Sequence, residues 1–340
     1  MIRQDDTLSI LVSSVLGDEA GARMLDTIEI DPALRGDGKV ASRAVVAMAL
    51  NVALMHGLLA RVPSGADYVA NRVIAGRRIV FDHGALRTIR FADGATGALP
   101  AGEQAFTRIL EPLGYRMAGL YPLDRLRMTG RAYTHDDLPE AIPQFFVSEL
   151  HVERFSAAFQ ATARQIFGSS RDPLTAEARL LLATLAAAGE APLPTAVAGL
   201  PSLAAAFDRQ HEMPAIEDYR LLLEESAEAA WIATEGNAFN HVTDRVENVE
   251  ALAEQQRALG RPIKDKVEIS STGRVRQTAY RADPVERRFR TAVDGVVRMT
   301  VPGSFYEFIS RDALPGSNTL DLTFDSGNAQ GIFKMTAAAA

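Results

Sequence analysis

The sequence predicts an α+β protein: two β-rich modules forming a curved sheet around one shared cavity, with an N-terminal helical region and a helical insertion between the modules. Three observations predict it. Apolar residues recur at helical spacing before residue 77 and again across 155–230. Runs rich in β-branched and aromatic residues occupy 77–154 and 231–336. The second of these stretches also repeats the order of motifs in the first, which predicts a divergent internal duplication. The organisation read from this is an N-terminal helical region at 1–76, a first β-rich module at 77–154, a helical insertion at 155–230 and a second β-rich module at 231–336.

In the first region Leu8, Leu11, Val12 and Val15 fall at i, i+3, i+4 and i+7, and Val45–Leu59 is a second apolar run. His56 lies in that run and reads as a core or helix-end histidine. The pattern changes at Arg77. From Arg78 to Ile89 the composition is that of a strand, on which His83, Ala85 and Arg87 share one face. A helix is expected over Gly102–Leu113, followed by strands at Tyr115–Leu120, Arg125–Tyr133 and Gln144–Glu153. Residues 155–230 are alanine- and leucine-rich, and Pro173, Pro192, Pro194, Pro201 and Pro214 are expected to cut them into short helices. Leu180–Ala188 reads as core, and Glu224, Glu225 and Glu228 as a solvated helix face.

After Trp231 the first unit returns. Phe239-Asn240-His241 echoes Phe81-Asp82-His83, Gly273–Tyr280 resembles Arg127–Tyr133, and Ser304–Phe308 stands where Gln144–Val147 stood. Phe145 follows Phe81 by 64 residues and Phe305 follows Phe239 by 66. Two such units paired about a pseudo-twofold axis would share one cavity rather than fold as independent domains.

Composition narrows the chemistry. The 340 residues include no cysteine, so disulfides, thiolate zinc sites, iron–sulfur clusters and a cysteine nucleophile are excluded. Any metal must be held by carboxylates, carbonyls or the six histidines. A net charge of −7 argues against a nucleic-acid partner, which would meet a basic stripe. The first residues lack the basic start and apolar core of a signal peptide, and Leu8–Leu16 is too short to span a bilayer. The expectation is a cytoplasmic protein with no membrane partner, its oligomeric state open.

Pairing the modules brings His83 and His241 toward the cavity, and a late strand of the second module brings Glu307. Two neutral imidazoles and one carboxylate form a facial triad that leaves coordination positions open and suits Fe(II). Neither histidine belongs to an H-x-D or H-E-x-x-H motif, so spacing alone leaves a structural histidine as open as a ligand. Arg87 lies about 13 Å along the strand from His83. Its guanidinium would suit the far carboxylate of a diacid, or else lie on an exposed strand face.

These residues carry a family resemblance. Phe81-Asp82-His83-Gly84-Ala85-Leu86-Arg87-Thr88, Ala238-Phe239-Asn240-His241-Val242-Thr243 and Tyr306-Glu307-Phe308, with Leu113-Gly114-Tyr115 and Gly331-Ile332-Phe333-Lys334, resemble the 2-oxoadipate dioxygenase/decarboxylase family. That family is related to the vicinal-oxygen-chelate metalloenzymes and is similar in mechanism to hydroxymandelate synthase. The resemblance runs from about residue 5 to 336. It implies two vicinal-oxygen-chelate-like modules, Fe(II) held by His83, His241 and Glu307, and Arg87 on the distal carboxylate of the substrate. It implies a reaction of a 2-oxo acid with O2 that converts 2-oxoadipate to 2-hydroxyglutarate and CO2. The chain is shorter than better-known bacterial members in its C-terminal half, which leaves the size of the pocket open. Residues 325–331 read either as a backbone nest for a carboxylate, with Ser326 and Gly327 as substrate-binding positions, or as an ordinary turn.

Other candidates weigh less. Glu149 occupies nearly the place in module one that Glu307 has in module two, and is an alternative ligand. His135 reads as a solvated loop, His151 as strand packing and His211 as exposed. Arg281, Arg287, Arg288 and Arg290 are interleaved with Asp283 and Glu286, the pattern of a salt-bridged surface. Two rival readings remain: a glyoxalase- or isomerase-like enzyme with a fourth protein ligand, and a non-enzymatic binding protein with structural histidines.

Overall fold

A computed structural model describes residues 6–293 and 295–325. The chain starts with α1 (Thr7–Leu16) and α2 (Asp18–Thr27); the Asp6 carboxylate caps α1 by accepting the Ser9 N–H at 2.7 Å. A short strand, β1 (Val40–Ser42), leads into α3 (Arg43–Leu59), which Ser42 caps, and α4 (Pro63–Ile74) follows with proline at its start. Helix α3 is buried along most of its length, which accounts for an apolar run too continuous to be amphipathic.

The first β-rich module comprises β2 (Phe81–Arg90), α5 (Gln104–Leu110), β3 (Tyr115–Leu123), β4 (Met128–His135) and β5 (Gln144–His151). Then come α6 (Ala157–Phe167), α7 (Ala176–Ala188), β6 (Glu190–Pro192), α8 (Leu193–Ala205), α9 (Ile216–Glu225) and α10 (Ala227–Glu235). The second module has β7 (His241–Arg245), α11 (Val249–Ala258), β8 (Glu268–Ile269), β9 (Val275–Ala279), β10 (Pro284–Arg290), β11 (Val296–Pro302) and β12 (Phe305–Arg311).

Eight strands form one sheet in the order β3-β4-β5-β2-β7-β12-β9-β8. Its two halves have the same internal order. The first strand of each module, β2 or β7, lies at the centre; β5 and β12 flank them in parallel, and β4 and β9 follow antiparallel. The centre is an antiparallel β2–β7 pair with His83 opposite Thr243 and Ala85 opposite His241, so a pseudo-twofold passes between the two histidines. One face packs on the N-terminal helices through Leu86, Phe145, Val147, Phe239, Val242 and Phe308. The alternate residues of β2 line a cavity on the other face.

The helical segments are not arranged as sequence order implies. β1 pairs with β6, and α1 and α3 pack against α8, so the N-terminal region and part of the insertion build one helical body. The remaining insertion helices cover a second core, where Tyr219 of α9 meets Phe289 of the β10–β11 ribbon at 4.8 Å. Three local expectations are corrected. Pro201 sits inside α8 without ending it. Leu180 is 59% exposed, because α7 buries only the stripe of Ala178, Leu181, Leu182 and Leu185. Glu228 is buried, its carboxylate accepting the Ser226 hydroxyl at the start of α10. Among the described residues no single helix is long and apolar enough to cross a membrane.

Candidate active site

His83 on β2, His241 on β7 and Glu307 on β12 converge at the floor of the cavity, each buried. One ligand atom from each lies within 4.8 Å of the others. His83 Nε2 is 3.8 Å from one Glu307 oxygen and His241 Nε2 is 3.9 Å from the other. The imidazole rings stand perpendicular, with centroids 5.5 Å apart.

The residue before each histidine fixes its ring. His83 Nδ1–H donates to Asp82 Oδ1 at 2.8 Å, and because a carboxylate only accepts, the Nε2 lone pair must face Glu307. His241 Nδ1 has the corresponding contact with Asn240 Oδ1 at 2.9 Å, and its ring stacks on Phe305. Asp82 can turn toward its neighbour because it is the extra residue of a β-bulge: Phe81 and His83 face the consecutive residues Asp244 and Thr243. Thr243, fully buried and in register with both His83 and Glu307, places its hydroxyl 3.1 Å from His83 Nε2.

The electrostatics fit a cation. Burial lowers the pKa of both histidines, that of His241 further with the Arg87 charge adding to it, so both sites favour the neutral imidazole. Burial pushes the Glu307 carboxyl up to about 8; Glu268 nearby adds to this and Lys264 acts against it. Neither carboxylate oxygen has a hydrogen-bond partner among the described residues. A carboxylate 1% exposed and unsatisfied, beside two neutral imidazoles, is a donor set that a divalent cation would complete.

The cavity above the triad is lined by Arg87, Ser148, Gln277, Phe146 and Phe324, among others. The expected common face of His83, Ala85 and Arg87 is thus present. Arg87 is buried, its guanidinium 5.0 Å from the Trp231 ring. Glu149 is not a ligand. Its carboxylate accepts the Glu103 N–H at 2.8 Å and pairs with Arg131, and the register makes Phe146 the counterpart of Glu307. Module one therefore offers an aromatic wall where module two offers a carboxylate, one residue away from the match read in the sequence.

His135 and His211, expected in solvent, are both buried and bond the carbonyls of Leu113 and Ala233. His151 is held by Thr129 and Arg90. Of the basic cluster, Arg287 pairs instead with the buried Glu235 and Arg281 with Asp265, while Glu286 pairs with Arg298 and Asp283 accepts from Ser64. Ser326 and Gly327 lie outside the described residues; Asp325, beside them, lines the cavity. Sequence reasoning passed over Asp82, Asn240, Thr243, Arg311 and Phe324 as site residues, although the repeated Phe-Asp-His and Phe-Asn-His already marked the first two.

The model of the 2-oxoadipate dioxygenase/decarboxylase family matches residues 50–334. The chain belongs to that family. A chloroplastic 2-oxoadipate dioxygenase/decarboxylase of Arabidopsis thaliana is 26% identical over 215 residues, covering 57% of this chain and 51% of the relative. The chain thus aligns with about half the length of that family member. Among solved structures, a protein of Ralstonia eutropha JMP134 assigned to the glyoxalase superfamily is 52% identical. It matches with a TM-score of 0.89 over 94% of this chain and 99% of its own. A hydroxyglutarate synthase of Oryza sativa, solved with 2-oxoadipate, shares the fold at 19% identity and a TM-score of 0.67, over 87% of this chain and 93% of its own. The two-module α+β architecture expected of the family is therefore the one observed.

Proposed function

We propose that this protein is an Fe(II)-dependent dioxygenase that decarboxylates a 2-oxo dicarboxylic acid, converting 2-oxoadipate and O2 to 2-hydroxyglutarate and CO2. The observation that carries the reading is the buried His83–His241–Glu307 triad, with unsatisfied carboxylate oxygens, opening into a cavity that also contains Arg87. Family membership supports the substrate class. Atoms balance without an external reductant: both oxygen atoms of O2 enter the products, one carboxyl leaves as CO2, and the neighbouring carbon gains the hydroxyl.

His83, His241 and Glu307 would hold the ion. Fe(II), when bound, supplies O2 activation and the redox chemistry of the reaction. Arg87 anchors the distal carboxylate of the substrate and so sets which carbon faces the metal end of the cavity. Ala85, Phe146 and Phe324 give that cavity apolar walls that exclude water. Ser326 and Gly327, which follow Asp325 in the sequence, bind the substrate carboxylate in this proposal.

Oxygen uptake by the Fe(II)-loaded protein across a series of 2-oxo acids tests the reading. Uptake stoichiometric with CO2 is expected, strongest with 2-oxoadipate and abolished by His83→Ala, His241→Ala or Glu307→Ala. Activity retained in all three variants would falsify the site. The likeness to a glyoxalase-superfamily protein favours one rival, Lewis-acid isomerisation on the same metal. Turnover of a substrate without O2 consumption would select it.

A further inference from the structure

We infer that Arg311 is a positioning residue that couples the orientation of His83 to the wall of the cavity. The inference rests on the reading of His83 as a metal ligand. Arg311 lies on β12, four residues beyond Glu307, and its side chain is 0% exposed. Its Nε donates to both oxygens of Asp82, at 3.1 and 2.9 Å, and its Nη2 donates to Oδ1 at 2.9 Å. Asp82 in turn holds the ring of His83. On its other side, Nη1 donates to the carbonyls of Asp321 and Thr323 at 2.8 and 2.9 Å.

Those two carbonyls belong to the segment that carries Phe324. The Phe324 ring meets His83 edge-on at 4.8 Å, packs against Phe146 at 5.0 Å and lies 5.3 Å from the Arg311 guanidinium. Its N–H donates to the Tyr121 hydroxyl. One planar, rigid fork of donors therefore grips the carboxylate behind the ligand and the backbone of the wall in front of it. Displacing segment 321–324 must tilt the guanidinium, and with it Asp82 and His83. Arg245, 3.9 Å from Asp82, contributes charge but no such fork.

Among the described residues the second module has no equivalent. His241 is oriented by a neutral amide, and the Asn240 Nδ2 has no hydrogen-bond partner among the described residues. An amide can present either end to the imidazole, whereas Asp82 can only accept. The two histidines are thus unequally fixed, and among the described residues only His83 is tied to segment 321–324.

The test combines Co(II) titration, read by its d–d absorbance, with hydrogen exchange of the 321–324 amides. In the wild type, saturation with Co(II) should slow exchange in 321–324, because coupling is reciprocal. Arg311→Lys keeps the charge but not the fork. It should bind Co(II) about 10- to 100-fold more weakly, shift the d–d spectrum and speed exchange in 321–324, while exchange in β4 stays as in the wild type. Wild-type Co(II) affinity and spectrum in Arg311→Lys, or exchange in 321–324 indifferent to Co(II) in the wild type, would overturn the coupling. A wild-type protein that binds no Co(II) would instead refute the metal reading. If Arg311→Lys fails to fold, the wild-type exchange comparison alone still decides.

Discussion

Burial lowers the pKa of the Arg87 guanidinium to about 10, with Glu228 opposing the shift, so the cavity contains a full positive charge at neutral pH. A charge in a desolvated wall attracts an anion far more strongly than one on the surface. Arg87→Ala should therefore weaken 2-oxoadipate binding by about 1.5–3 kcal/mol, roughly ten- to a hundredfold, and Arg87→Lys should restore only part of it, since lysine lacks the bidentate fork. Trp231, the only tryptophan, lies beside Arg87, so its fluorescence can follow the titration. Unchanged affinity in Arg87→Ala would remove the anchoring role. His211 makes a different prediction. Burial pushes its pKa down to about 4, and its Nε2 donates to the Ala233 carbonyl. The folded value lies below the free value near 6.5, so folding favours the neutral ring. Its contribution is complete above pH 6.5 and is lost as pH falls toward 4, by about 3 kcal/mol. Urea denaturation at pH 7 and pH 4.5 should show a smaller loss for His211→Asn than for the wild type. Equal losses would mean that another group governs the acid limb.

At the level of elements, strand β2 shows what a sequence can and cannot disclose. Its alternation placed His83, Ala85 and Arg87 on one face, because period-two patterning is local. The bulge that turns Asp82 toward His83 was not legible, since it exists only relative to the register of β7. The same holds for the helices: Pro201 is tolerated within α8, and β1 finds β6 across some 150 residues of chain. Neither fact has a local signature. Gly84, between His83 and Ala85, was quoted only as part of a motif, yet the structure gives it a steric role. A Cβ there would lie 2.3 Å from the Phe239 ring, which is itself packed against Phe81, Phe145 and Phe207. Gly84→Ala should cost about 1–3 kcal/mol by overpacking, read as a lower urea midpoint at unchanged slope. A variant as stable as the wild type would show that the sheet and the helical layer can separate without penalty.

For the molecule as a whole, duplication explains why two similar modules make one site. The pseudo-twofold gives each half a histidine and a polar residue to orient it, so this much of the site was visible as a repeated tripeptide. The carboxylate breaks the symmetry: the counterpart of Glu307 is Phe146, a difference that depends on a one-residue register and so escaped the sequence comparison. Phe146 also lines the cavity, so the half that lacks a ligand supplies a wall. An ion bound here would bridge β2, β7 and β12, the centre of the eight-stranded sheet, and would stabilise both modules together. Mn(II) or Co(II) titration should therefore saturate at one ion per chain. At a hundredfold excess over its Kd, the ion should raise folding stability by about 2.7 kcal/mol. Glu307→Gln preserves the shape of the side chain and removes its charge, so it should abolish this gain while leaving the metal-free protein as stable as the wild type or more so, because it relieves a buried carboxylate. Calorimetric melting with and without the ion measures both effects. Two ions per chain, or a gain that survives in Glu307→Gln, would show that the metal is held elsewhere and that the convergence of the two modules has another purpose.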